Sequence, residues 1–310
     1  MADGLAIDPA AASVFALKNE SAWRRWRDRK LEARPRTASD LMVEVRDPRR
    51  LTAAERGAIV ERCRTANMAI YASAAIDDDP AIVSGLGAQL GLRTLDANLL
   101  SEDDGVTRIT FTPDKAGAGY IPYTDRRMLW HTDGYYNPPA RRIRAMLLHC
   151  VRPAAHGGET ALVDHEIAWL ALREADPGLV QALMAPDALT IPERRDEDGV
   201  ARPAMTGPVF SIEPATGDLN MRFTARRRSV KWKCEATVSA AAARLIALLD
   251  REDSGILRLR LESGMGLVCN NVLHERAAFR DAPGTPRLFL RARFVERIAG
   301  TQGAWADLCR

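Results

Sequence analysis

Arg287-Leu288-Phe289-Leu290-Arg291-Ala292-Arg293-Phe294-Val295 alternates with a period of two. Odd positions carry Arg287, Phe289, Arg291 and Arg293, and even positions carry Leu288, Leu290, Ala292 and Phe294. Side chains two apart in a strand share a face. One face is therefore apolar and the other holds guanidinium groups. A solvated polar face is the ordinary reading of such a strand. The alternative is a pocket wall, where each guanidinium needs an anion because an unpaired buried charge is costly. Gly266 to Asn270 is a second late strand, and the apolar run Ala145 to Val151 suits a strand buried on both faces.

Earlier segments add further elements. Residues 41–46 and Val106 to Phe111 alternate like strands, and Ala69-Ile70-Tyr71 reads as a short one. Thr52 can cap a helix from Ala53 to Thr65, with Glu55 at the capping-box position. Pro80 can open a helix through Leu90 that stops at Gly91. Gly157-Gly158 and Pro214 to Gly217 read as turns. A helix-and-loop insertion is expected from about Asp164 to Lys233, with a helix from His165 to Glu174. Ser239 would cap a helix from Ala240 to Leu249. Residues 1–40 read as an N-terminal helical extension, with a Trp- and Arg-rich helix from Ser21 to Glu32 capped by Ser21 and packed on the body or used in self-association. Residues 41–310 then form one domain. Strands flanking an insertion make this an α+β protein built round a barrel or double-sheet jelly roll.

Composition narrows the function. The chain has 310 residues, with 46% apolar and 27% charged content, as in an ordinary globular protein. Its 44 basic and 41 acidic residues give a net charge of +3, no reason to expect a nucleic-acid partner. Five scattered cysteines with no C-x-x-C pair argue for reduced thiols and a cytoplasmic location. The first residues lack the character of a signal peptide, and no apolar run approaches a membrane span. The expected partner is a small-molecule substrate, and a homo-oligomer is the expected assembly.

Leu129-Trp130-His131-Thr132-Asp133-Gly134 carries the chemistry. In a strand, His131 and Asp133 would project together with Cα atoms roughly 6.5 Å apart. Two histidines and one carboxylate with open positions opposite are the ligand set of non-haem iron(II) oxygenases. An H-x-D triplet alone is weak, since a lone histidine is more often a core or surface residue. His149 lies in an apolar strand and reads as a satisfied core histidine, while His156 and His165 look structural or exposed. His274 follows a strand and is the best distant third ligand. Guanidinium binds carboxylates in a two-pronged way. Arg287 could therefore return beside the metal through the turn at Asp281 to Gly284 and hold a dicarboxylate's distal end. Arg291 would lie roughly 13 Å further along that face and serve a second anion.

Taken in order, these residues resemble the taurine dioxygenase superfamily. The resemblance rests on His131-Thr-Asp133-Gly-Tyr-Tyr-Asn-Pro-Pro139, Leu147-Leu-His-Cys150, Gly157-Gly-Glu-Thr160-Ala-Leu-Val-Asp164, and His274-Glu-Arg-Ala-Ala-Phe279 followed by Arg287 and Arg291. It covers about residues 41 to 297. It implies a double-stranded β-helix core and an Fe(II)-, O₂- and 2-oxoglutarate-dependent dioxygenase, with ascorbate as a stimulant. Such an enzyme hydroxylates a C–H bond and releases succinate and CO₂. The resemblance further implies that His131, Asp133 and His274 bind iron and that Thr160 and Arg287 hold 2-oxoglutarate. Arg291 would bind an anionic group of the substrate. Arg293, on the same face, suggests a small carboxylate or sulfonate substrate, and Tyr135 could line the pocket or pack under a loop.

The chain departs from the pattern at Glu275, where the family has Gly, and in the closeness of Asn270-Asn271 to His274. The Tyr-Tyr and Pro-Pro pattern is also similar to γ-butyrobetaine hydroxylase, so a betaine substrate is the alternative. Glutarate 2-hydroxylase is another similar member. A cupin-like hydrolase or isomerase and a non-catalytic jelly-roll binding module are the rival classes. The run Met221 to Arg228 reads first as a solvated face and second as a source of one substrate-reaching arginine.

Overall fold

Thr52 starts the Ala53–Ala66 helix with a complete capping box. Its hydroxyl accepts from the Glu55 backbone N–H at 3.2 Å, and the Glu55 carboxylate accepts from the Thr52 N–H at 2.6 Å. This helix and the Ala81–Gln89 helix lie over a six-stranded sheet. The structure is a computed structural model that describes residues 8–96, 105–112, 121–196, 199–251 and 254–307.

The strands that frame the site are β1 (Met42–Glu44), β2 (Met68–Ala72), β3 (Thr107–Ile109), β4 (Met128–His131), β5 (Ala145–Arg152), β6 (Thr160–Val163), β7 (Leu257–Leu259), β8 (Met265–Cys269), β9 (Leu273–Arg276) and β10 (Leu288–Phe294). The large sheet runs β1-β2-β8-β5-β10-β3 and the small sheet β7-β6-β9-β4. The sheets face each other. Met146, Cys150, Leu267 and Phe289 of the large sheet share one apolar cluster with Leu162 and Leu257 of the small sheet.

Each outer face has its own cover. Leu147, Val268, Leu290 and Phe294 of the large sheet pack on Ile59, Cys63, Ile82 and Leu86 of the two helices. Trp130, Ala161, Val163 and Leu273 of the small sheet pack with the later helices His165–Ala175, Pro177–Leu183 and Ala236–Leu249. The N-terminal helix, Glu20–Ala33, joins this second cover. Its Trp26 is fully buried and sits edge-on to Phe15 and Trp169 at 5.0 and 6.3 Å. Packing on the body is thus its observed role.

The β10 alternation holds, but its polar face is not solvated. Leu290, Ala292 and Phe294 are buried on one side, and Phe289, Arg291 and Arg293 on the other. Covering the strand on both faces makes each arginine a charge that must be answered inside the protein.

Several expected details are corrected. Asn19, not Ser21, occupies the N-cap of the N-terminal helix, and it makes no side-chain cap bond. The Ala236–Leu249 helix begins at Glu235, so Ser239 lies inside it rather than at its cap. His274 lies within β9 rather than after a strand. The insertion is only partly helical. Beyond Leu183 it folds into short antiparallel pairs, including Leu189–Ile191 with Met205–Gly207 and Phe210–Ile212 with Leu219–Met221. Strands this short leave no usable periodicity in sequence. Among the described residues, no helix is long and apolar enough to cross a membrane.

Candidate metal centre

β4 and β9 lie side by side, with His131 directly opposite His274. Trp130 and Leu273 point outward into the apolar cover, so the neighbouring histidines point inward. Their rings tilt at 50° with centroids 4.2 Å apart. β4 ends at His131, so Asp133 lies in the following turn, not two residues along one strand as the spacing predicts. The turn still brings it in: His131 Nε2 and Asp133 Oδ1 are 3.9 Å apart. One ligand atom from each of His131, Asp133 and His274 lies within 4.8 Å of the others, and all three residues are buried.

Neighbouring groups fix this arrangement. His131 Nδ1 bonds the Leu129 carbonyl at 2.9 Å, and His274 Nδ1 bonds the Val272 carbonyl at 3.0 Å. A carbonyl only accepts, so each Nδ1 carries the proton and each Nε2 keeps its lone pair. Asn271 braces the Asp133 turn. It accepts from the Asp133 N–H at 2.8 Å and donates to the carbonyls of Asp133 and Ile143 at 3.0 and 2.8 Å. Gly134 turns the chain away at φ 64°, where a Cβ would stand 2.4 Å from Ile143.

Electrostatics prepare the donors. Burial, reinforced by His274, pushes His131 down to about 3, and burial also lowers His274. Both rings are neutral at physiological pH, the form that ligates metal. Burial alone would raise Asp133, but Arg291 and Arg293 outweigh it and hold the carboxyl well below its usual range. Asp133 Oδ1 accepts from Arg291 Nη1 at 3.3 Å, while Oδ2 is buried with no partner. A buried carboxylate oxygen without a partner, beside two imidazole lone pairs, suits a divalent ion.

The other arginines of β10 part ways. Arg293 is not available to a substrate anion, because Asp96 Oδ2 accepts from it at 2.6 Å and its Nη1 bonds the Tyr136 hydroxyl at 3.0 Å. Arg287 precedes the strand, is 5% exposed, and has no ion pair among the described residues. It lies over Phe289 at 3.8 Å and Phe279 at 5.3 Å. Burial, with repulsion from Arg276, pushes it down to about 9. Thr160 is buried directly across the strand pair from Arg276, whose guanidinium shares the Phe279 ring with that of Arg287.

Tyr135 is half-buried and edge-on to His131 at 6.5 Å. Within the run Met221 to Arg228, Arg222 is spent on backbone carbonyls, including Leu189, Gly207 and Tyr135, while Arg227 and Arg228 are exposed. Arg226 is half-buried near Tyr135. A small cavity of about 40 Å³ adjoins the Asp133 turn and is lined by Arg142, Asn220 and Asn271, but by neither histidine. His149 and His165 are core histidines, bonded to Tyr71 Oη at 2.8 Å and the Leu219 carbonyl at 3.1 Å, and His156 is exposed. The unusual Glu275 faces away from the site and is buried between Arg127 and Arg258 at 2.7 and 3.3 Å.

Sequence reasoning missed Asp96, Asn271 as a brace, and Arg276 as a neighbour of Arg287. Only Asn271 carried a signal, through its closeness to His274.

Two facing sheets with a buried pair of histidines and a carboxylate between them define a mononuclear non-haem metalloprotein. The family model for taurine catabolism dioxygenase TauD, TfdA family, matches residues 74–293, and the chain belongs to that family. A uridine-5'-phosphate dioxygenase of Amycolatopsis sp is 34% identical over 178 residues, which are 56% of this chain and 62% of that relative's length. A uridine-5'-phosphate dioxygenase of Streptomyces sp is 30% identical over 216 residues, covering 68% of this chain and 77% of the relative. Among solved structures, the non-heme iron oxygenase OrfP in complex with Fe and alpha-ketoglutaric acid has a TM-score of 0.59 at 17% identity, covering 88% of this chain and 91% of that one. An asparagine oxygenase in complex with Fe(II), 2S,3S-3-hydroxyasparagine and succinate has a TM-score of 0.56 at 15% identity, with 89% and 92% covered. Both support a mixed α+β fold of this kind.

Proposed function

We propose that this chain is an iron(II)- and 2-oxoglutarate-dependent dioxygenase that hydroxylates a C–H bond of a small anionic substrate and releases succinate and CO₂. The observation that carries this reading is the buried His131–Asp133–His274 set, in a fold that also buries Arg287 with no ion pair among the described residues. The scaffold reads as a double-stranded β-helix, since β3-β10-β5-β8 faces β4-β9-β6-β7 and the chain passes back and forth between the two sheets. The relatives' printed substrate, uridine-5'-phosphate, is itself a small anion.

Bound iron(II) with 2-oxoglutarate and O₂ supplies the oxidation of the C–H bond. The residues do the rest. His131 and His274 offer neutral Nε2 atoms, and Asp133 offers a carboxylate that is already ionised. Arg287, held over two phenyl rings, would grip the distal carboxylate of the keto diacid, with Thr160 as a hydroxyl partner. Burial of both sites keeps water from competing for these charges.

The test is succinate release from 2-oxoglutarate in the presence of Fe(II) and ascorbate. Succinate is expected from the wild type, first as slow uncoupled turnover and faster with a matching substrate. Asp133→Ala should abolish it. No release with any member of a panel of amino acids, dicarboxylates, sulfonates, betaines and phosphate esters, or full activity of Asp133→Ala, would sink the reading.

A further inference from the structure

The two arginines of β10 nearest the metal set are already engaged. Arg291 bonds Asp133, and Arg293 bonds Asp96 and Tyr136. An anionic substrate therefore needs other cations, and the insertion holds two. Arg202, at the end of the Gly199–Arg202 strand, is half-buried. Its guanidinium lies over the Tyr136 ring at 5.5 Å and, among the described residues, donates to the carbonyls of Pro192 and Pro203, at 2.6 and 3.3 Å. Arg226 is half-buried, and its guanidinium has no bonded partner among the described residues. Neither side chain has a carboxylate partner among those residues.

Both cations are linked to the metal set through neighbouring residues. The backbone of Thr224 bridges His131, and the Arg226 N–H donates to the Thr224 hydroxyl at 3.3 Å. Arg226 is thus two residues from direct backbone contact with a candidate ligand. Tyr135 lies edge-on to His131 at 6.5 Å and to Tyr136 at 5.2 Å. The Tyr135 hydroxyl bonds the Thr224 side chain, and the charges of both Arg226 and Arg202 reach it. A tyrosine pair beside the metal set is therefore flanked by two guanidinium groups from separate segments, neither with a carboxylate partner among the described residues.

We propose that Arg202 and Arg226, with Tyr135 between them, form the subsite that binds a phosphoryl group of the substrate. This rests on the dioxygenase reading for its role but not for its test. A carboxylate is planar, and one guanidinium satisfies it in a two-pronged way. A phosphate monoester is tetrahedral, carries about −1.5 to −2 charges at neutral pH and has three strong acceptor oxygens. Two guanidinium groups on different segments plus a phenol hydroxyl match that shape and charge better than they match a carboxylate.

The experiment titrates the metal-free protein, without 2-oxoglutarate, with inorganic phosphate. Binding is read as a rise in melting temperature against chloride at matched ionic strength. Phosphate is expected to stabilise the wild type more than acetate does. Arg226→Gln and Arg202→Gln should each weaken phosphate binding about tenfold or more, the loss typical of a charged hydrogen bond. The Arg226 guanidinium makes no bond among the described residues, so its variant separates binding from folding. Arg287→Gln should keep the response, since that guanidinium lies over Phe279 and Phe289. An unchanged response in Arg226→Gln, its loss only in Arg287→Gln, an equal response to acetate, or no response in the wild type would each overturn the assignment. Succinate release is measured separately, so a failed subsite and a failed dioxygenase reading give different results.

Discussion

Two buried polar clusters on opposite sides of the small sheet obey opposite rules. Outside the sheet, Lys30 of the N-terminal helix sits 2.6 Å from both Asp164 and Glu166 and donates to the Thr65 carbonyl at 2.6 Å. Burial opposes its charge, but the two carboxylates outweigh burial and raise its pKa. Between the sheets, Asp133 keeps one oxygen unpartnered, two imidazoles keep free lone pairs, and Arg287 makes no ion pair among the described residues. The first cluster is closed by its own chain. The second is left open by the chain, and on the proposed function an ion and an anion would complete it. A buried charge therefore signals function when the fold leaves it unanswered, not when it is merely buried.

The largest expected effect breaks the open cluster. His274→Ala removes one of three donors and should abolish both tight iron binding, followed by metal titration, and succinate release. Because the centre is not closed by the chain, the metal-free variant should melt no lower than the metal-free wild type. A large drop in its melting temperature would make His274 a structural residue. Next, Lys30→Met leaves two carboxylates buried without their cation and should cost about 3–5 kcal/mol in a denaturant titration. Iron binding per folded molecule should not change. If Lys30→Met proved neutral in stability, the closed cluster would contribute nothing and the contrast would fail.

Arg287→Gln sharpens the comparison from the other side. Removing one partner of a buried charge pair commonly costs 2-oxoglutarate binding about 2–5 kcal/mol. The affinity should therefore fall by at least about thirtyfold, while stability without 2-oxoglutarate stays level or rises, since a buried cation with no ion pair among the described residues is gone. Asn271→Ala acts one step further out. Support residues of this kind typically affect metal affinity by about 10–100-fold, so its iron affinity should fall within that range. Intact affinity would show that Gly134 and Ile143 hold the turn alone.

How much of this could be read beforehand depended on the distance each signal covers. The H-x-D triplet, the later His274 and the β10 alternation are local patterns, and all survive in the structure. The Asp133 turn did not follow from strand spacing, because its position is set by Asn271, 138 residues away in sequence. Arg293 looked free because its partner Asp96 lies 197 residues away. Arg202 gave no sign, since its strand is four residues long and its neighbour Tyr136 comes from another part of the chain. Local chemistry was legible, whereas the partner that neutralises a charge, or fails to, was not.

The most gradual expected effect is the pH dependence of the closed cluster. Burial would raise Glu166, but Lys30 outweighs it and brings Glu166 from its ordinary 4.5 down to about 2. The folded pKa lies below the unfolded one, so the folded state holds the proton less tightly. Its stabilising contribution is complete above pH 4.5 and is lost as pH falls through about 2. In Lys30→Met that depression disappears. The stability gap between wild type and Lys30→Met should therefore narrow as pH falls from 4.5 toward 2, by up to about 1.4 kcal/mol per pH unit for one proton. The gap between wild type and Arg287→Gln should stay nearly level, because no carboxylate among the described residues pairs with Arg287. Denaturant titrations of the three metal-free proteins across this range measure both gaps. A parallel narrowing in Arg287→Gln would mean that Arg287 has an acid partner after all and that the second cluster is also closed.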